Sequence, residues 1–191
     1  MIRSAIDVNF LPTVEQARPR HCARCGVGGR EGGVLRIYGH GVCVCQQRGP
    51  AAPEAEPTCE LLAVRRYRCT PCGAVMRVVP GAKTASKHFS GAAIGLALAL
   101  WSAGKSAGAV REAVNDWRVR GAAARGWRSL TRWARDAAAG RLFAWLGLGA
   151  PTGGPRAIAG RVAQALRGYA PQEWRAAPVW LQSQLGACHV P

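Results

Sequence analysis

Two short stretches carry residues whose type and spacing can do chemistry. HCARCGVGG (21–29) places Cys22 and Cys25 two residues apart, and RYRCTPCGAV (67–75) repeats the spacing at Cys69 and Cys72. A Cys-x-x-Cys pair can be a redox dithiol, a set of disulfide partners or half of a metal site. The redox reading needs the pair to open a helix in a βαβ setting, which GVGGREGG does not supply. The disulfide reading needs an oxidising compartment, and MIRSAIDVNFLPTVEQ has no apolar secretory core. What remains is a structural zinc ion held by Cys22, Cys25, Cys69 and Cys72. A Cys-x-x-Cys knuckle presents two sulfurs from one tight turn and leaves backbone N–H groups to bond them. Gly26 and Gly73 follow the second cysteine of each pair, where the chain turns back.

Other potential ligands compete. Cys43 and Cys45, with Cys59 or His40, can displace one knuckle or hold a second metal; otherwise they are small hydrophobic residues or free thiols. His21 and His40 read as surface or outer groups, and Cys188 stands alone.

A second constellation is basic. At 100° per residue, Arg125, Arg128, Arg132 and Arg135 fall in one narrow sector of a helix, with Leu130, Trp133, Ala134 and Ala137 opposite. Guanidinium groups so arranged grip phosphates or chelate guanine, and Ser129 and Thr131 are short polar companions. A solvated arginine face is the plainer alternative. Between residues 111 and 141 there are eight arginines against Glu112, Asp116 and Asp136.

The elements that must position these residues change character along the chain. Residues 1–20 read as a leader with one short strand. Residues 21–80 read as a β zinc ribbon, with alternation in VLRIY (34–38) and LLAVRRYRC (61–69) and a proline-rich loop at 46–58. From Ser90 the period becomes helical. Ile94, Ala97, Leu98 and Trp101 mark a helix over 90–102. Val110, Ala113, Val114 and Trp117 mark one capped by Ser106, over 106–117. A third covers 127–139 after the polar stretch RVRGAAARG. These three make a helix-turn-helix-like region over 81–140, followed by a C-terminal helical extension over 141–191 with helices near 158–169 and at WLQSQLG. The expected class is α+β: a small N-terminal β zinc ribbon, then an all-α helix-turn-helix region.

The composition narrows the function. The 191-residue chain has a net charge of +16, carried by 23 Arg and 3 Lys, which implies affinity for polyanions. Its longest apolar run, GAAIGLALALWSAG (91–104), is shorter than the roughly 18 to 20 residues of a membrane span, so no membrane partner is expected and the protein reads as cytoplasmic. ALWSAGKS (99–106) mimics a phosphate-binding loop, but Leu100 and Trp101 continue a helix where that loop needs a glycine-rich turn after a strand. Strand-transfer chemistry on two magnesium ions needs three carboxylates in a sheet. The chain has ten acids, and none of those after Glu60 lies in a strand pattern, so the chain is not expected to be an enzyme.

CARC, YGHG, RRYRCTPCGAVMRVVPG, the apolar helix, GKS and SLTRW together resemble the zinc-ribbon plus helix-turn-helix proteins of bacterial insertion sequences, over about residues 20–140. The ending LGACHVP is similar to such chains too. The resemblance implies Cys22, Cys25, Cys69 and Cys72 as ligands of one zinc. It also implies Arg128, Ser129, Thr131 and Arg132 as the set facing duplex DNA, in a transposase-associated, nucleoid-bound protein that works alone or beside a separate transposase subunit. The chain departs from the pattern at RVRGAAARG, which lengthens the turn, and at Gly126, where a serine cap is usual. A protein-interaction adaptor or transcriptional regulator is the alternative of another class.

Overall fold

A computed structural model describes residues 2–4, 11–80, 87–117, 126–149 and 152–188, and the architecture is mixed α+β. Strands β1 (Ile2–Ser4), β2 (Arg30–Glu31), β3 (Val34–Leu35), β4 (Ile37–Pro50), β5 (Pro57–Cys69) and β6 (Val75–Pro80) precede five helices. These are α1 (Gly91–Ser102), α2 (Ala107–Val114), α3 (Arg128–Ala138), α4 (Pro155–Arg167) and α5 (Val179–Gly186). One sheet has the order β1-β6-β5-β4, and β2 and β3 form a separate two-stranded ribbon. β5 and β6 are antiparallel, with Arg66 opposite Arg77 and Tyr67 opposite Met76, whereas β1 runs parallel to β6.

The chain divides into two compact units: Met1–Gln47 with Glu60–His88, and Arg48–Cys59 with Phe89–Pro191. In the first, the alternation of β5 and β6 sends Tyr67, Met76 and Val78 into one small core with Ala17, Ile37, Cys22 and Cys69. Tyr67 is fully buried, and its hydroxyl donates to the carbonyl of Val14 at 2.7 Å. VLRIY is not one strand. Val34 and Leu35 pair with β2, and Arg36 and Ile37 both donate their N–H to the carbonyl of Gly29 before β4 sets off.

In the second unit, α1 is buried nearly all round rather than along one stripe, because its apolar residues leave no polar face; α2, α3, α4 and α5 all pack on it. Gly95 lets α5 come close: a Cβ there would lie 2.7 Å from the carbonyl oxygen of Ser183. α4 and α5 therefore complete the core that α1 begins. Ser106 caps α2 as its position predicts, accepting from the N–H of Ala109, and Ser90, read from the sequence as the first residue of its helix, caps α1 by accepting from the N–H of Ala93. The second helix stops at Val114 rather than reaching 117. Asn115 is extended, and Trp117 is 62% exposed with the Arg48 guanidinium over its ring at 4.4 Å, so it is no part of the core. The fourth helix ends at Arg167, which leaves Tyr169 outside it, stacked edge-on to Trp145.

The proline-rich segment 46–58 differs most from expectation. β4 runs to Pro50 and β5 starts at Pro57, which leaves only 51–56 as a turn. The end of β4 and the turn pack with the helices. Ser90 donates its N–H to the carbonyl of Arg48, Gln184 Nε2 donates to the carbonyl of Ala52, and Gly49, at φ 125°, lies where a Cβ would meet Ala93. Edge positions tolerate Pro50 and Pro57, since proline lacks only the N–H that an end residue can forgo.

Candidate functional site

The two knuckles are built alike. Cys22 and Cys69 are each the acceptor of an N–H four residues on, from Gly26 and Gly73, at 2.9 Å. Each also donates its own N–H five residues on, to Val27 and Ala74, again at 2.9 Å. The closing glycines have φ 75° and 69°, a left-handed conformation that a side chain would strain. β5 delivers the second knuckle at its last residue, Cys69, and the hydrogen bond from Thr70 N–H to the carbonyl of Arg36 ties that end to the start of β4.

The fold brings all four knuckle sulfurs together, each within 4.8 Å of the others. Cys22 Sγ is 3.6 Å from Cys72 Sγ, and Cys25 Sγ is 3.7 Å from Cys69 Sγ. A tetrahedral ion with bonds of ~2.3 Å to sulfur sets its ligands about 3.8 Å apart, so the residues fit a single four-coordinate metal and are compatible with one structural zinc. Cys22 and Cys69 are buried, Cys72 is half-buried and Cys25 lies on the outside.

The electrostatics of this cluster await a cation. The N–H groups of Cys25 and then Arg24, the latter 3.4 Å from the sulfur, bring the Cys22 thiol down to about 6. Burial pushes Cys69 up to about 12, against the N–H of Cys72. Cys25 is also raised: the N–H of Val27 favours its thiolate, but desolvation and the thiols of Cys72 and Cys22 outweigh that bond. The pattern is one ready thiolate, Cys22, beside two thiols, Cys25 and Cys69, held above the ordinary value, as expected where like charges would otherwise share one site. Among the described residues no other group of three or more His, Cys, Asp or Glu side chains is arranged to hold a metal. His21 and His40 are exposed, and Cys188 is exposed on α5's C-terminal turn. Cys43 and Cys45 lie elsewhere in the first unit, against Leu62, Val64 and Val79.

α3 is the second candidate element. Leu130, Trp133, Ala134 and Ala137 are buried on it, with Trp133 1% exposed and edge-on to Phe89 and Trp127 at 5.2 and 4.9 Å. Arg128, Arg132 and Arg135 are exposed on the opposite side, with Ser129 and Thr131 half-buried between them. Arg125 lies outside the described residues. The helix starts without a side-chain cap, since its N-cap is Trp127. Its packing partners are chiefly α4 and α1; α2 reaches its start through Arg111, whose guanidinium donates to the carbonyl of Gly126 and sits over the Trp127 ring.

A residue that periodicity could not assign completes the arginine face. After α3 the chain turns at Gly140, φ 65°, and brings Arg141 back against the helix. There Arg141 donates from Nε and Nη2 to Asp136 Oδ1 at 3.1 and 2.9 Å, while Asp136 is 8% exposed. Arg128, Thr131, Arg132, Arg135, Asp136 and Arg141 line one open depression of about 500 Å³. Among the described residues no carboxylate pairs with Arg128, Arg132 or Arg135. Lys105 and Ser106 sit in the α1–α2 connection, with Ser106 spent as a helix cap and the helix α1, not a strand, leading directly into them, so ALWSAGKS lacks the strand-to-turn setting of a phosphate-binding loop. No helix among the described residues is long and apolar enough to cross a membrane.

Comparison of the chain with family models, with curated proteins and with solved structures gives no match. What the geometry defines is a chain with a cluster of four cysteines that could hold one metal ion and, in its helical unit, an arginine-lined depression.

Proposed function

We propose that the protein binds duplex DNA through the arginine face of α3, with one structural zinc held by Cys22, Cys25, Cys69 and Cys72 in a small β zinc ribbon. The observation that carries this reading is the depression lined by Arg128, Arg132, Arg135 and Arg141, where four guanidiniums face a single carboxylate, Asp136. Such a site has the charge and donor geometry for successive phosphates, while Thr131 offers a hydroxyl in the same depression. Zinc adds no reactive group in this reading. It shapes the ribbon, and the chain's own residues make the contacts.

The resemblance to insertion-sequence proteins supplies the class: a transposase-associated or transposon-derived DNA-binding protein of the bacterial cytoplasm, without a catalytic domain, working alone or beside a transposase subunit. The test is fluorescence anisotropy on duplexes selected from a random pool, over a range of salt. Each phosphate contact contributes about −0.9 to the slope of log K against log salt, so Arg132→Ala should make the slope shallower by about 1 and weaken binding by about 1 to 3 kcal/mol if it also reads a base. An unchanged slope in Arg132→Ala and in Arg135→Ala identifies the face as merely solvated.

A protein-docking reading has its own support in the exposed apolar residues of the sheet, notably Val42, Val44 and Leu61 at 41, 64 and 69%. Capture of a protein partner that persists after nuclease treatment, together with no binding of duplex, would favour it over the DNA reading.

A further inference from the structure

Cys43 and Cys45 belong to neither candidate site. They are two residues apart on β4, so their side chains leave the same face of the strand, and both are half-buried against Leu62, Val64 and Val79. Arg77 Nη1 lies 3.9 Å from Cys45 Sγ. Arg66 pairs across the sheet with Arg77 and also stabilises a thiolate at Cys43, whose thiol is otherwise held up by burial and by the neighbouring Cys45 thiol.

This arrangement selects its ligand by elimination. Residues i and i+2 of a strand stand about 6.6 Å apart with parallel Cβ directions, whereas a disulfide needs Cβ atoms about 3.8 Å apart, so the pair is poorly placed to close on itself. Zinc needs four donors, and among the described residues no third His, Cys, Asp or Glu joins the two thiols. A soft cation content with two thiolates needs no third donor, and two thiols leaning together can hold it between them. The bis-thiolate complex of a monovalent ion carries one negative charge, which the adjacent Arg77 guanidinium offsets. We propose that Cys43 and Cys45 form a two-thiolate site for a soft monovalent cation of the copper(I) class, separate from the four-cysteine centre. Binding forms two copper–sulfur bonds, and the two thiol protons pass to the buffer with no change of oxidation state.

The test uses the full zinc-loaded chain, titrated without oxygen with copper(I) buffered by a chromogenic chelator, with released zinc followed by a second dye. One copper is expected per chain with no zinc released; Cys43→Ser and Cys45→Ser should each abolish that uptake, and Cys59→Ser should keep it. Circular dichroism checks that each variant folds. X-ray absorption on the unsubstituted chain gives an independent readout, with two sulfur neighbours per copper expected. Uptake that releases zinc in step, uptake that survives both serine variants, or three to four sulfur neighbours would overturn the proposal. If the chain proved to hold no zinc, copper would also enter the four-cysteine centre, and the serine variants would still lower the total by one. Failure of the zinc reading is thus distinguishable from failure of this one.

Discussion

If the four cysteines hold zinc as proposed, removing it should unfold the first unit and spare the helical one. The buried cluster of the first unit around the centre is small: apart from the ligands Cys22 and Cys69, its sizeable side chains are Ile37, Tyr67, Met76 and Val78. At roughly 1.5 to 3 kcal/mol each, full burial of these four favours folding by about 6 to 12 kcal/mol, before any loss of chain entropy. A structural zinc contributes on the order of 10 kcal/mol at neutral pH, so a zinc held by the four cysteines would supply about half of the favourable drive around that cluster. The helical unit depends on nothing comparable, since its core joins Trp133, Leu98, Leu130, Leu142 and Leu166 without a ligand residue. The assay is hydrogen exchange by mass spectrometry before and after treatment with a strong chelator. Peptides covering 20–37 and 60–79 should lose protection, while those covering α1 and α4 retain it. Retained protection in the first set, with metal analysis showing none bound, would refute the argument that the ion replaces missing core.

The proton count at the same centre gives a second prediction. Cys25 and Cys69 are raised above the ordinary thiol value of 9.0, so at pH 7 both keep their protons, while Cys22, at about 6, has already lost its own. Metal binding at pH 7 should therefore release at least two protons, and affinity should rise with pH; calorimetry in buffers of different ionisation enthalpy would show fewer than two if the assignment is wrong. In the metal-free fold the signs differ by residue. The contribution of Cys22 is full above about 9 and lost as pH falls through about 6, whereas that of Cys69 is full below about 9 and lost as pH rises through about 12. Gly186→Ala should be among the costliest single-methyl insertions in the helical unit, because the new Cβ would lie 1.8 Å from the carbonyl oxygen of Leu166, a backbone atom that cannot rotate away. A loss of about 1 to 3 kcal/mol or more is expected in chemical denaturation, and a neutral result would mean that α5 shifts freely on α4.

Spacing made the knuckles legible because a tight turn is local: Cys-x-x-Cys followed by glycine specifies its own geometry within five residues. The α3 faces were legible for a similar reason, since Leu130 and Trp133 repeat at helical intervals and the arginines occupy the remainder. The Ser106 cap needed only the three residues after it. Other features were hidden because they depend on residues distant in sequence. The segment 46–58 reads as a proline-rich loop until Gln184 is brought against Ala52 and Ala93 against Gly49. Trp117 fits a helical stripe, yet the helix ends at Val114 and leaves the ring to Arg48.

By itself the sequence determined the chemistry available: eight thiols, a large excess of arginine, an apolar helix too short for a membrane, and two local turns that each offer a pair of sulfurs. Only the tertiary structure decided which thiols meet. The return of β5 beside the start of β4 sets Cys69 and Cys72 against Cys22 and Cys25, while strand alternation turns Cys43 and Cys45 onto the cluster of Leu62, Val64 and Val79. The same holds for Arg141, which falls outside the α3 period and joins the arginine face because Gly140 reverses the chain and Asp136 holds the guanidinium. Local turns and periods are fixed by sterics and hydrogen bonds over a few residues. Convergence of side chains from distant segments depends on how whole strands and helices pack, and that is encoded by the full set of contacts rather than by any one stretch.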